Sequence, residues 1–289
     1  MHTVAVQFTL LASIAALAAA ALISPTMAQR TLVHGHRGAR AMRPENTIPA
    51  FEYAIQLGVD ALEMDMAVTH DNVIVISHDP ILEPPVCRGP QERAVIHELT
   101  LEQVKEWDCG AQQNPRFATQ QVIPGTRVPT LDEVFALAPQ GTFDYNIETK
   151  SFPDKPQYTP TPEVFAQMVL DKVRQYKLEK RIILQSFDFR TLRAMKKLAP
   201  EIRLSALIEN DTRDFGSIAK EAGPADIISP YFKLVTPEKV AAAHAAGLQV
   251  VPWTANTPQE WDPLIAAHVD AIISDDPAAL IAYLKRVSN

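Results

Sequence analysis

The stretch from residue 34 to residue 79 carries His36, Arg37, Glu45, Glu63, Asp65 and His78, set at the ends of apolar runs or on alternate positions within them. Imidazole titrates near neutral pH, so His36 and His78 are candidates for a general acid and base. Glu63 and Asp65 alternate with Leu62, Met64 and Met66, and a strand would point the two acids one way and the apolar residues the other. Further along, Glu148 and Lys150 close the run YNIETK, Gln185 lies in LQSF and Trp253 in PWTAN. If Glu63, Asp65 and Glu148 meet, their mutual repulsion calls for a cation, and oxygen ligands suit calcium or magnesium. Taken singly, each reads better as a solvated or salt-bridged acid, and it is the alternate spacing on an apolar strand that favours a metal. Arg37 and Lys150 are either ion-pair partners of those acids or binders of an anionic substrate. Trp253 is a core residue or, at an open site, a wall for a small organic group. Gln185 alone carries little information, and His34, His70 and His97 read as structural.

The elements that must position these residues follow from the pattern. TLVHG from Thr31 reads as a strand, Asn46 as the cap of a helix that ends at Gly58, and Val59 to Val68 as a second strand. Asp71 and Asn72 then leave too few residues for a parallel crossover, so Val73 to His78 is expected to fold back as a hairpin. With those two residues as the turn, His70 faces Val73 and His78 faces Asp65. Residues 79–129 hold many prolines, two cysteines and one short helical pattern from Thr100 to Trp107, and read as an insertion shaping or covering a site. A capping box of Thr130 and Glu133 restarts the alternation. Strands are expected at Phe143–Glu148, Arg181–Ser186, Arg203–Ile208, Ala225–Ser229, Leu248–Trp253 and Asp270–Ser274. Helices open at Thr161-Pro162, Asp188, Thr236-Pro237, Thr257-Pro258 and Asp276-Pro277. Alternating β and α implies a parallel sheet, doubly wound or closed into a barrel. The candidate polar residues cluster at carboxyl ends of strands, which in a barrel converge on one mouth. Nine strands are one too many for an eight-stranded barrel, with 73–78 the irregular member. HGHRG lacks the glycine spacing of a dinucleotide turn.

The chain has 289 residues, a net charge of -7 and no run of lysine or arginine, which argues against nucleic acid or anionic lipid as a partner. Its 47% hydrophobic and 21% charged content is that of a soluble globular protein. Residues 1–28 differ: a long apolar run, Pro25, and small residues at Thr26 and Ala28 read as a signal peptide cut after Ala28. The alternative is an uncleaved anchor, since the run approaches the length of a membrane span. Cleavage predicts a periplasmic or secreted protein without stable membrane insertion, comprising 29–289 as a single domain. Cys87 and Cys109 would then form one disulfide or remain two thiols. The oligomeric state is left open.

An ordered set of motifs now accumulates: HRG at 36–38, PENT at 44–47, E-M-D at 63–65, THDN leading to VIVISHD, VPTLDEV at 128–134, IETK at 147–150, QSFD at 185–188, WTAN at 253–256 and IISDDP at 272–277. The set resembles the glycerophosphodiester phosphodiesterase family, in particular its exported bacterial members, over nearly the whole mature chain. The resemblance implies a TIM-type (β/α)8 barrel of the phospholipase-C-like phosphodiesterase kind, with 79–129 as its insertion. It implies hydrolysis of a glycerophosphodiester to glycerol 3-phosphate and an alcohol such as choline, ethanolamine or glycerol. By position, Glu63, Asp65 and Glu148 look like ligands of one divalent cation, calcium or magnesium, and His36 and His78 like the acid and base. Arg37 and Lys150 look like phosphate contacts, Glu45 like a polar residue at the metal or glycerol end, Gln185 like a substrate contact and Trp253 like a wall for glycerol. Ser274 and Asn72 depart from the more usual threonine and glycine. Competing expectations are a lysophospholipase D of the same barrel, which calls for an apolar surface beside the mouth, and a receptor that captures phosphodiesters uncut, which has no need of two histidines.

Overall fold

The computed structural model describes residues 30–287; the expected leader and its cut lie outside the described residues. The strands are β1 (Leu32–Gly35), β2 (Ala61–Val68), β3 (Ile74–Ile76), β4 (Ile81–Leu82), β5 (Ala94–Val95), β6 (Asp144–Thr149), β7 (Ile182–Ser186), β8 (Arg203–Ile208), β9 (Ile227–Pro230), β10 (Gln249–Val250) and β11 (Ala271–Ser274). The helices are α1 (Ile48–Leu57), α2 (Leu101–Val104), α3 (Leu131–Phe135), α4 (Pro162–Tyr176), α5 (Phe189–Leu198), α6 (Phe215–Glu221), α7 (Pro237–Ala245), α8 (Pro258–Ala266) and α9 (Pro277–Val287). Helix α6, capped by Asp214, has no counterpart in the sequence expectation, because no proline marks its start. No helix among the described residues is long and apolar enough to cross a membrane.

Parallel strands run in the order β10-β9-β8-β7-β6-β2-β1-β11, with β3 pairing antiparallel outside that path. The circle closes between its two ends. Asp270 N donates to Val250 O at 3.0 Å, Ile273 N to Pro252 O at 3.0 Å, and Ala255 N to Ile273 O at 3.2 Å. Pro252 has no N–H to give the ladder, which is why β10 is short while its neighbours are regular. The result is the eight-stranded (β/α) barrel. Leu62, Met64 and Met66 lie in the layer between strands and helices, whereas Ile183, Ile227, Val251, Ala271 and Ile273 form a small apolar cluster inside the barrel.

The β2–β3 hairpin corrects the expected register by one residue. Met66 pairs with Ile76, Ala67 with Val75 and Val68 with Ile74. The loop therefore has three residues, His70 to Asn72, with Asn72 at φ +60, and Thr69 N donates to Val73 O. Asparagine tolerates this left-handed position, and a three-residue loop ending so is a common hairpin closure. Ser77, not His78, sits opposite Asp65, its N–H donating to Asp65 O at 2.9 Å. His78 lies beyond the last paired residue, so the pleat does not dictate its direction.

The insertion is ordered around its own core. Leu82, Cys87, Ile96, Leu99, Val104, Trp107, Cys109 and Val128 pack against Ala67 and Val75 of the hairpin. Cys87 and Cys109 are bonded, and Gly89 lies so close to the Trp107 ring that an added Cβ would sit 2.3 Å from it. Closing a loop of this length removes chain entropy worth about 3 kcal/mol. In a Cys87→Ser/Cys109→Ser variant, amide exchange should accelerate about a hundredfold at opening-limited sites in the insertion while barrel strands keep their protection. Equal acceleration across the barrel would contradict an independently closed insertion.

Candidate active site

His36, Arg37, Glu63, Asp65, His78, Glu148, Lys150, Gln185 and Trp253 line one cavity of about 160 Å³ at the carboxyl end of the barrel. Each arrives for a local reason. The turn after β1 places Arg37 at φ +50 and Gly38 at φ +84, and a Cβ on Gly38 would sit 2.7 Å from the backbone of Ala50. This tight turn brings Arg37 N to Glu63 Oε2 at 2.9 Å. Parallel register sets Asp65 beside Glu148. Glu63 and Asp65 share the inner face of β2, and one oxygen from each of Glu63, Asp65 and Glu148 lies within 4.8 Å of the others.

Three buried carboxylates at this separation are balanced unevenly. Burial pushes Glu63 well above the usual carboxylate range, helped by Asp65, while the Arg37 backbone N–H opposes it. Burial also raises Glu148, against the pull of Lys150. Asp65 is desolvated too, but the charges of Lys150, His78 and Arg37 and a hydrogen bond from Asn46 hold it well below the usual range. Lys150 Nζ bridges Asp65 Oδ1 at 3.2 Å and Glu148 Oε1 at 2.9 Å. Arg37 reaches Glu45 through NH1 at 2.6 Å, and its buried Nε, 3.3 Å from Asp65, has no hydrogen-bond acceptor among the described residues. Gln185 Nε2 donates to Glu63 at 2.7 Å, and its buried Oε1 has no hydrogen-bond partner among the described residues. An all-oxygen donor set, two carboxyls held towards neutrality by burial, and an unpaired amide oxygen beside them fit a hard divalent cation.

His36 is fixed by a residue that sequence reasoning passed over. Its Nδ1 lies 2.5 Å from Asp275 Oδ1, which also takes Arg40 Nε at 2.7 Å, while Asp275 Oδ2 takes Asn256 Nδ2 at 2.9 Å. Burial and the Arg40 charge lower His36 to about 4, against the opposing pull of Asp275, so the ring is neutral at pH 7. His36 Nε2 turns towards Glu63, 3.8 Å away. The signal for Asp275 was present in IISDDP, where Asp276 reads as the helix cap and hides its neighbour. Asp276 does cap, accepting from Ala279 N at 3.0 Å. Asn46 is a further correction: its side chain leaves α1 uncapped and donates to Asp65 at 2.9 Å, with Thr47 at the cap position. Glu45 does not line the cavity; it stands behind Arg37 and faces the adjoining cleft. His78 is partly exposed, with Nδ1 3.0 Å from Asp79. Trp253 donates Nε1 to Ser229 O at 2.8 Å, with the 44% exposed Phe187 against it edge-on.

The glycerophosphoryl diester phosphodiesterase family model matches residues 36–279. The chain belongs to that family. A glycerophosphodiester phosphodiesterase of Caldanaerobacter subterraneus is 32% identical over 261 residues, covering 89% of this chain and 99% of its own. A Silicibacter pomeroyi crystal structure named for the same activity is 31% identical, with a TM-score of 0.83 over 90% of this chain and 94% of that one. An Oleispira antarctica phosphodiesterase, solved in complex with the product sn-glycerol-3-phosphate, shares the fold at a TM-score of 0.75 and 22% identity, over 89% of this chain and 97% of that one. The barrel is thus that of the glycerophosphodiester phosphodiesterase family, and in this chain it carries a buried histidine below the site.

That residue is His34, within the barrel beside Asn146 Nδ2 at 3.4 Å, and burial lowers it to about 4. The unfolded chain takes up this proton below about pH 6.5 and the folded chain does not, so stability falls as pH drops from about 6.5 towards 4. A His34→Gln variant removes this dependence. Its unfolding free energy relative to wild type should be constant above pH 7 and shift in its favour by on the order of 3 kcal/mol by pH 4. Parallel curves from urea titrations across that range would remove His34 as the cause.

Proposed function

We propose that the protein is an exported, divalent-metal-dependent enzyme that hydrolyses glycerophosphodiesters to sn-glycerol 3-phosphate and an alcohol. The observation that carries this reading is the convergence of His36 and His78 on one cavity with three carboxylates and the cations Arg37 and Lys150. The names of the relatives agree with it, as does the product bound by the Oleispira antarctica neighbour. A cavity of this size suits a phosphate with small organic arms.

Glu63, Asp65 and Glu148 would hold the cation, calcium or magnesium, which supplies positive charge to the phosphate oxygens as the transition state forms. The remaining work falls to the chain itself. Arg37, with its unsatisfied Nε, and Lys150 orient the phosphate and balance its charge. His36, neutral and with Nδ1 committed to Asp275, presents Nε2 as the base that takes a proton from the attacking hydroxyl. That hydroxyl is either of water, which gives glycerol 3-phosphate directly, or of the neighbouring glycerol carbon, which gives a cyclic phosphate that water then opens to glycerol 3-phosphate. Asp275 fixes the ring and stabilises the imidazolium that results. His78, nearer solvent, delivers a proton to the departing alcohol oxygen. Trp253 and Phe187 give the glycerol carbons an apolar surface.

Incubating the mature protein with glycerophosphocholine and calcium or magnesium should release glycerol 3-phosphate, and a chelator should stop it. No release with any divalent metal would overturn the activity. His36→Ala should lower kcat by about a thousandfold or more in a folded protein, and Asp275→Asn by about a hundredfold or more with KM little changed. Full activity in either would refute the role given to that residue. Glu63→Gln and Asp65→Asn should abolish calcium and magnesium binding measured by calorimetry. Export is supported by the Cys87–Cys109 disulfide, which suits an oxidising compartment, and predicts a mature protein outside the cytoplasm that begins at Gln29.

A further inference from the structure

The cavity has a fourth cation besides Arg37, Arg40 and Lys150. Arg116, from the insertion, lines the same cavity. The other three are committed: Arg37 to Glu45 and Asp65, Arg40 to Asp275, Lys150 to Asp65 and Glu148. Arg116 is exposed, and among the described residues its side chain has no hydrogen bond and no acidic partner. In a chain of net charge -7, an uncompensated guanidinium at the mouth is a local exception.

Its turn is rigidly placed. Asn114 and Gln120 are buried; Gln120 Oε1 accepts from Asn114 N at 2.8 Å, and Gln120 Nε2 donates to Arg40 O at 2.7 Å and Arg43 O at 3.2 Å. Thr119 Oγ1 donates to Ala41 O and Gln121 N to Met42 O, both at 3.0 Å. Asn114 Oδ1 accepts from Arg116 N at 3.1 Å, and the Arg40 guanidinium lies 5.0 Å from the centre of the Phe117 ring. The turn is thus riveted to the segment that carries Arg40 and, through Asp275, orients His36. None of these bonds uses the Arg116 side chain. It is carried over the mouth by this frame and has no partner there among the described residues.

The mouth therefore has two kinds of wall. Phe187 and Trp253 follow β7 and β10 and make one wall aromatic, whereas Arg116 docks beside the loop after β1 and makes the other cationic. A phosphodiester has two arms, and the aromatic wall suits the uncharged glycerol arm. Resting on the phosphodiesterase reading above, we infer that Arg116 is a specificity-determining residue that binds an anionic group, carboxylate or phosphate, on the alcohol arm of the substrate. The enzyme then favours glycerophosphodiesters of acidic alcohols over those of neutral or cationic ones.

Two matched substrate pairs test this. Glycerophosphoserine differs from glycerophosphoethanolamine by one carboxylate, and glycerophosphoinositol 4-phosphate from glycerophosphoinositol by one phosphate. The wild-type ratio of kcat/KM, anionic member over its partner, should exceed one in at least one pair. Arg116→Gln should lower that ratio by about tenfold, the scale of one charge-assisted contact at an exposed site, and Arg116→Lys should restore part of it. A fall in only the serine pair or only the inositol pair identifies carboxylate or phosphate as the group. Unchanged ratios in both pairs, or equal losses on both members of each, would overturn the inference while leaving the phosphodiesterase reading intact. Failure of the wild type to hydrolyse any of the four, with metal supplied, would instead remove that reading and this inference with it. Thermal unfolding should be the same in all variants, because the turn is held by Asn114 and Gln120.

Discussion

Like charge held close and out of water is the constraint on which this molecule depends. Glu63, Asp65 and Glu148 offer oxygens within 4.8 Å of one another, all buried, an arrangement that ordinary packing would disfavour. The surrounding polar structure answers that repulsion. Lys150 spans two of the acids, Arg37 approaches Asp65 while anchored by Glu45, Asn46 donates to Asp65, and Gln185 donates to Glu63. These partners come from β7, from the residue that follows β6 and from the segment between β1 and α1, so compensation requires the barrel to be assembled. The remaining imbalance, with Glu63 and Glu148 pushed towards neutrality, makes the mouth receptive to a cation.

The second dependence is closure of the circle. Asp275 follows the last strand and His36 the first, and β1 pairs with β11 in parallel register, placing Gly35 beside Ser274. One ladder therefore brings together residues from opposite ends of the chain. Asn256 locks the corner, donating to Asp275 Oδ2 and accepting from Asp275 N at 2.8 Å. A neutral imidazole between two arginines stays oriented because its carboxylate partner is held from both sides. The irregularity at Pro252 falls in the neighbouring seam, where hydrogen bonds to Val250, Pro252 and Ile273 complete the circle without a long ladder.

The insertion belongs to the site as much as to the scaffold. Its disulfide and apolar core pack on the β2–β3 hairpin, while its turn at 114–121 is bonded to residues 40–43. The hairpin supplies His78 and the 40–43 segment supplies Arg40. A single excursion of the chain thus braces both sides of the histidine pair. This explains why a proline-rich stretch with little regular secondary structure is ordered: its polar groups are satisfied by the barrel's own loops.

By itself the sequence determined the alternation of strands and helices, the helix starts marked by threonine or aspartate before proline, and the identity of most groups at the mouth. Those signals are local: a cap, a fixed φ and a period of two or 3.6 act over a few residues. The hairpin between β2 and β3 was legible, but its register was not, because two- and three-residue turns fit Asp71 and Asn72 equally until Asn72 is seen at φ +60. Asp275 went unremarked beside the cap Asp276, and Asn46 looked like a cap, since their actual partners, His36 and Asp65, lie across the fold. Tertiary structure alone decided that Glu148 stands beside Asp65, that Glu45 backs Arg37 instead of lining the cavity, that the two cysteines are joined, and that Arg116 reaches the mouth. Each is a contact between distant segments, set by barrel closure and strand register, which no local pattern encodes.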